Sequence, residues 1–227
     1  MELIEAIKTR KSIRAYKPEP IPTKTLTDLL EVAIQAPSGV NSQPWEFFIV
    51  KGEALDELRR ACVKRFHEGA EPEPDLPIAD KKHGETGLQG IYYQRQIKVA
   101  KQIFQLLGIA KGDKKRMQAH TEFMYRFFDA PAVIIIAMDE FLKPTWPVMD
   151  IGIISQTIAL LALEHGLGTC IMRAVVDFPE TVRKVAGIPR AKKLMVGLAI
   201  GFPDWDHPLN RLVSEREKLE NLLTVVE

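Results

Sequence analysis

The chain lacks most of the patterns that assign a chemistry directly. Its two cysteines, Cys62 and Cys170, are far apart in 227 residues and form no CxxC. That spacing offers no zinc module; a single disulfide is the alternative to the two reduced thiols that are expected. The five histidines, His67, His83, His120, His165 and His207, are scattered without HExxH spacing, so no metal site is expected. There is no GxxxxGK[ST], no GxGxxG between a strand and a helix, and no GxSxG elbow. No pair of carboxylates suited to acid–base work stands out. An enzyme built on this chain would therefore draw its hard chemistry from a bound cofactor, with no catalytic side chain expected.

Net charge is nearly absent as well. With 31 Lys and Arg against 30 Asp and Glu, nothing in the total draws the protein to nucleic acid or to a membrane surface. The most apolar run, residues 151 to 163, is shorter than the ~20 residues of a spanning helix and contains Gly152, Ser155 and Gln156. The N-terminus shows no apolar signal segment, and a soluble, cytoplasmic protein is expected.

What is present is an ordinary globular composition, 46% hydrophobic, with a readable order of elements. Leu3, Ile4 and Ile7 share a face and predict a helix over residues 2 to 11. Pro18, Pro20 and Pro22 break it. A second helix is predicted from Thr25, capped by that residue with Asp28 three further on, burying Leu26, Leu29, Leu30, Ala33 and Ile34. Strands are predicted at 46 to 51, 132 to 139, 169 to 172 and 193 to 201, and helices at 54 to 66, 91 to 108, 113 to 128, 148 to 166 and 179 to 188. Residues 67 to 90 read as a long functional loop. The helix around 151 to 163 is apolar nearly all round, which places it in a core or at a subunit interface. Strands and helices do not alternate as regular βαβ units, so α+β is expected.

Two segments carry chemistry. In "RKSIR", Arg10, Ser12 and Arg14 alternate as the chain leaves a helix and extends. They either converge on an anion such as phosphate or sit in water, complementing the helix C-terminus. In "APSGVNSQPW", residues 36 to 45, small residues let a flat ligand approach the backbone, and Ser38, Asn41 and Gln43 offer polar contacts.

Taken together, RxSxR, a proline break, an amphipathic helix and APSxxNxQPWxF resemble the FMN-dependent nitroreductase family. "DIGIISQTIALLALEHGLGTC" looks like that family's long central helix and the turn after it, and "NRLVSEREKLENLL" resembles its closing stretch. Residues 67 to 130 match loosely, where family members vary and substrate is selected.

The resemblance implies one nitroreductase-like domain over 1–227, with a central, mostly antiparallel sheet flanked by helices in an intertwined homodimer. Residues 67–130 would shape the substrate pocket, and the tail 203–227 would extend onto the partner subunit. Arg10, Ser12 and Arg14 would hold the FMN phosphate with Lys11 beside them, and Ser214 and Arg216 would close it. Pro37, Ser38, Gly39 and Asn41 would approach the flavin from the partner. Arg173 and Ala174 stand where the family has a small pair whose backbone N–H faces flavin N5. The Arg173 side chain would stabilise reduced flavin, bind an acidic substrate, or point to solvent, the last being favoured. Tyr92, Tyr93, Phe123, Tyr125 and Phe127 are pocket candidates, Gln94 is a candidate for the flavin edge, and Lys17 is expected in solvent.

The implied activity is ping-pong hydride transfer from NADH or NADPH through FMN to a nitroaromatic or quinone-like acceptor. Enone reduction, aromatic dehalogenation and a non-catalytic flavin-binding role are the alternatives.

Overall fold

The computed structural model describes residues 1–77 and 87–227, so part of the expected 67 to 90 loop, with His83, lies outside the described residues. The sheet is built around β2 (Ala132–Asp139), whose AVIIIAMD sequence is rich in β-branched residues and does not alternate with polar ones. Such a strand must be covered on both faces. β1 (Glu46–Lys51) pairs antiparallel with one edge of β2, from Glu46 opposite Ala137 to Lys51 opposite Ala132. β4 (Lys192–Gly201) pairs antiparallel with the other edge, with a bulge between Ile136 and Ala137. β3 (Gly168–Met172) closes the order β1-β2-β4-β3, again antiparallel.

Two cores result, one on each face. Val133, Ile135 and Ala137 pack with Leu55, Leu58, Cys62, Phe127 and Val175. Helices α3 (Gly52–His67), α5 (Lys114–Tyr125) and α7 (Pro179–Ala186) supply that side. Ile134, Ile136 and Met138 pack with Leu26, Leu29, Ile154 and Ile158, from α2 (Thr23–Ala33) and α6 (Pro147–Glu164). Ile134, Ile135 and Ile136 are fully buried, each contributing about 1.5–3 kcal/mol of transfer free energy. α1 (Leu3–Thr9) and α4 (Gly90–Leu106) lie outside these cores. The α+β class and the element order expected from sequence are found.

Several expectations need correction. α2 begins at Thr23, directly after Pro22, so Thr25 is inside the helix and does not cap it. Asp28 instead pairs with Lys24 at 2.7 Å, and Ile34 is 42% exposed. On α1 the apolar face of Leu3, Ile4 and Ile7 is exposed, and Ala6 is the buried residue. α5 stops at Tyr125 because Phe127, Phe128 and Asp129 take left-handed backbone angles that bury both phenyl rings. α6 is 18 residues long and, by length and composition alone, apolar enough to cross a membrane. Ile151, Ile154, Ile158 and Ala162 are core, Ile153 and Leu161 pack half-buried against it, and Leu160 and Leu163 are half-buried as well.

Candidate functional site

Residues 10 to 16 leave α1 extended and lie along β3. Ser12 bridges Thr169 in parallel, the Ile13 N–H donates to Thr169 O at 2.9 Å, and Tyr16 bridges Pro203. This close approach needs Gly168, since a Cβ there would meet Ile13 Cγ1 at 2.4 Å. Strand alternation then sends Ile13 and Ala15 inward and groups Arg10, Ser12 and Arg14.

The buried Cys170 thiol registers that grouping. Burial pushes it up, while Arg14, a hydrogen bond with the Ser12 side chain and Arg10, in that order, pull it back. Arg14 also acts on His120 of α5, which burial first and the guanidinium second hold below the usual histidine range. The His120 Nδ1 is buried with no hydrogen-bond partner among the described residues, and its ring stands edge-on to Phe104 at 6.4 Å. None of the ion pairs among the described residues involves Arg10, Lys11 or Arg14. Two uncompensated guanidinium groups and a hydroxyl at one place fit a phosphate.

Lys11 does not join them. Its Nζ donates to Asn210 O at 2.6 Å and stands 5.2 Å from the Trp205 ring centre. Asn210, 2% exposed, fastens the segment: its Oδ1 accepts the Arg14 N–H at 2.7 Å. Lys17 is exposed, as expected.

The 36 to 45 loop contains a short 3-10 turn, Gly39–Asn41, in which Val40 and Asn41 have φ of 48° and 58°. Its polar groups largely satisfy one another. Ser38 Oγ accepts the Gln43 N–H at 3.0 Å, and Gln43 Nε2 donates to Asn41 Oδ1 at 3.1 Å. The buried Asp150, in the first turn of α6, accepts the Gly39 N–H at 3.1 Å. The loop, including Pro37, is thus held at the N-terminal end of α6, whereas the Arg10–Arg14 segment rides on β3 just beyond that helix's C-terminal end. Asp150 and Glu164 are 14 residues apart, a helical rise of about 21 Å.

β3 runs directly into a 3-10 turn, Arg173–Val175. Thr169, beside Ser12, precedes Arg173 by four residues, about 13 Å of extended chain. Ala174 and Val175 are buried, and Val175 packs where a Cβ on Gly197 would lie 2.3 Å away. The Arg173 side chain does not simply point to solvent. Its Nη1 lies 2.8 Å from Oδ1 of the fully buried Asp177, a contact of charges without the alignment of a hydrogen bond. The Tyr125 hydroxyl donates to Asp177 Oδ2 at 3.1 Å. Burial raises the Asp177 carboxyl, against the pull of Arg173 and then Tyr125. Burial and then Asp177 raise the Tyr125 hydroxyl in turn.

Arg173 also lines a groove of about 320 Å³ whose walls include Leu76, Val148, Ile151, Met195 and Val196. Asp75 Oδ2 accepts from Arg183 Nη2 at 2.5 Å and from the Leu194 N–H at 2.7 Å, which ties the Leu76 side of the groove to β4. Among the described residues no group of three His, Cys, Asp or Glu is placed to hold a metal ion.

Residues 7–202 match the sequence model of the Nitroreductase family. The chain belongs to that family. It is 30% identical over 198 residues to nitroreductase NfnB of Mycolicibacterium smegmatis, covering 87% of this chain and 81% of the relative. It is 27% identical over 226 residues to a 4-nitrobenzoate reductase of Nocardioides sp., covering 99% and 90%. The fold superposes on the crystal structure of the FMN and NADPH-dependent nitroreductase NfnB from Sphigopyxis sp. strain HMH with a TM-score of 0.92. That match has 31% identity and full coverage of both chains.

The remaining residues that the nitroreductase resemblance singled out divide by position. Ser214 and Arg216 lie on an exposed tail, and Arg216 Nη1 donates to Ser214 O and Oγ, both at 2.9 Å, rather than to the Arg10–Arg14 group. Glu215 and Glu217 of the tail pair with Lys98 and Arg95 of α4. On the same helix Tyr92, Tyr93 and Gln94 are exposed. Phe127 is 0% exposed and belongs to the core, and Tyr125 is the buried partner of Asp177, so neither faces a pocket. Phe123 is half-buried between the rings of Phe128 and His207. Asn210, Asp150 and Asp177 had no assigned role in the sequence: Asn210 and Asp150 act on backbone distant in the chain, and Asp177 joins the nearby Arg173 to the distant Tyr125.

Proposed function

We propose that this nitroreductase is an FMN-dependent NAD(P)H oxidoreductase that reduces nitroaromatic or quinone-like acceptors. The observation that carries the reading is the convergence of Arg10, Ser12 and Arg14, without a carboxylate partner among the described residues, at one end of β3. There the two guanidinium groups and the hydroxyl would take the phosphate of FMN, with Ser214 and Arg216 closing it from the tail. The backbone N–H groups of Arg173 and Ala174, about 13 Å along the strand, would meet the ring edge. When bound, FMN supplies the hydride relay between a nicotinamide, NADH or NADPH, and the acceptor. The chain's own residues bind, orient and exclude water, and none is required to move a proton.

A homodimer completes the site in this reading. Pro37, Ser38, Gly39 and Asn41 are held at the far end of α6 from the cradle, so the copy of that loop facing a given cradle belongs to a second chain. Exposed apolar side chains support a covered surface: Leu3, Ile4 and Ile7 of α1, Met149 of α6, and Leu222, Leu223 and Val226 of the tail. The tail would extend onto the partner. The location is read as cytoplasmic, with a small-molecule acceptor as the other partner.

The visible spectrum of the purified protein tests this. A flavin band should appear, bleach under anaerobic NADH or NADPH, and return on adding a nitroaromatic. No band even after adding FMN would overturn the assignment.

A further inference from the structure

Among the described residues Arg173 is the one charged side chain lining the groove, whose mostly apolar walls include Leu76, Val148, Ile151, Met195 and Val196 beside the hydroxyl of Ser155. The guanidinium is backed by Asp177, itself fixed by the Tyr125 hydroxyl and by its own main-chain carbonyl, which accepts the Glu73 N–H at 2.9 Å. A guanidinium carries five donors in a planar fork, and here Asp177 faces one corner of it. The Arg173 side chain is 40% exposed, and its one ion pair among the described residues is the one with Asp177.

We propose that Arg173 selects acidic acceptors: it binds the carboxylate of a small aromatic acid whose ring lies in the groove, with Asp177 as the positioning residue behind it. This rests on the oxidoreductase reading above. The fork matches a carboxylate edge to edge, and apolar walls strengthen such a charge-assisted contact relative to water. About 320 Å³ is at the small end of ligand pockets and suits one substituted ring. A bare inorganic anion would leave those walls uncovered, so the ring and the carboxylate are recognised together.

The test measures equilibrium binding of 4-nitrobenzoate and of its neutral counterpart 4-nitrobenzyl alcohol to the FMN-loaded protein by calorimetry, without nicotinamide. The wild type should favour the acid. Arg173→Gln should lower the acid-to-alcohol affinity ratio about tenfold or more, the scale of one hydrogen bond to a charged group. Arg173→Lys, which keeps the charge but not the fork, should recover part of the ratio. With NADPH present, the Gln variant should raise KM for the acid relative to the alcohol more than it changes their kcat ratio. A ratio equal in all three proteins overturns the proposal. Failure of both compounds to oxidise NADPH would instead overturn the activity assignment, and the binding ratio would still decide the role of Arg173.

Discussion

Asn210 Oδ1 accepts the Arg14 N–H at 2.7 Å, while its amide nitrogen donates to Ala15 O at 2.8 Å and to Asp204 O at 2.7 Å. One buried side chain therefore satisfies three main-chain groups and sets the path of the segment that carries Arg10, Ser12 and Arg14. Asn210→Ala would leave those groups unpaired at roughly 1–3 kcal/mol each, partly recovered by water. A loss of about 2–3 kcal/mol in urea unfolding is expected, together with weaker FMN retention. Unchanged flavin content on purification would show that Asn210 does not set the cradle.

Removing a cradle charge should act on the cofactor more than on the fold, because Arg10 and Arg14 have no carboxylate partner to strand among the described residues. Arg10→Gln or Arg14→Gln should weaken FMN binding about tenfold or more, the worth of one charge-assisted contact. The salt dependence of binding should flatten as well. Flavin fluorescence titration at low and high salt measures both.

Two glycines test the close approaches. Gly168→Ala drives a Cβ into Ile13 and Pro203, and Gly197→Ala drives one into Val175. Each should cost about 1–3 kcal/mol as overpacking. Gly168→Ala should lower FMN affinity through the cradle, and Gly197→Ala should disturb the Arg173–Val175 turn. Thermal melts with and without FMN separate the two effects, since the cradle variant loses most of the FMN-induced stabilisation.

Asp177 makes stability depend on pH in an unusual direction for a carboxylate. Burial, its largest influence, raises it above the ordinary value of 3.8, so the native state holds the proton to higher pH than the unfolded chain. Stability therefore falls as pH rises from about 4 through the native value. In apo-protein, Asp177→Asn should remove this fall, so its stability relative to wild type rises with pH across that window. Urea unfolding at several pH values gives the slope, and a difference that shrinks with rising pH would contradict it.

His120 works in the opposite sense. Held below its ordinary value of 6.5, first by burial and then by Arg14, it gives up its proton on folding. Its contribution is present above about pH 6.5 and is lost as pH falls through the lowered native value. In apo-protein, His120→Phe should flatten that acid-side loss and remove a buried ring nitrogen that lacks a partner among the described residues. An unaltered pH slope between about 7.5 and 5.5 would rule this out.

Much of this protein was legible in the sequence because local pattern and final environment agree. The AVIIIAMD run has one stable place, the middle of a sheet covered on both faces, and that is where β2 lies. Arg10, Ser12 and Arg14 share a side because an extended backbone alternates. The same alternation sends Lys11 to Asn210 and Trp205, which was missed because those partners come from almost two hundred residues later. The end of α5 was misplaced because burial of Phe127 and Phe128 overrides helix continuation, and no local signal marks it. Asp150 and Asp177 looked like ordinary acidic residues, and only burial reveals that one organises a loop and the other backs an arginine.

The Arg14–Asn210 bond spans 196 positions of chain. During synthesis the side chain that fixes the path of the cradle residues follows them by almost two hundred positions. Contacts this distant carry a high loop-closure cost and cannot close until the chain between them has been made. A nascent chain arrested before residue 210 would carry Arg10, Ser12 and Arg14 and still lack a fixed path for them. If the cradle takes the FMN phosphate, such a truncated chain should retain less flavin than the full chain.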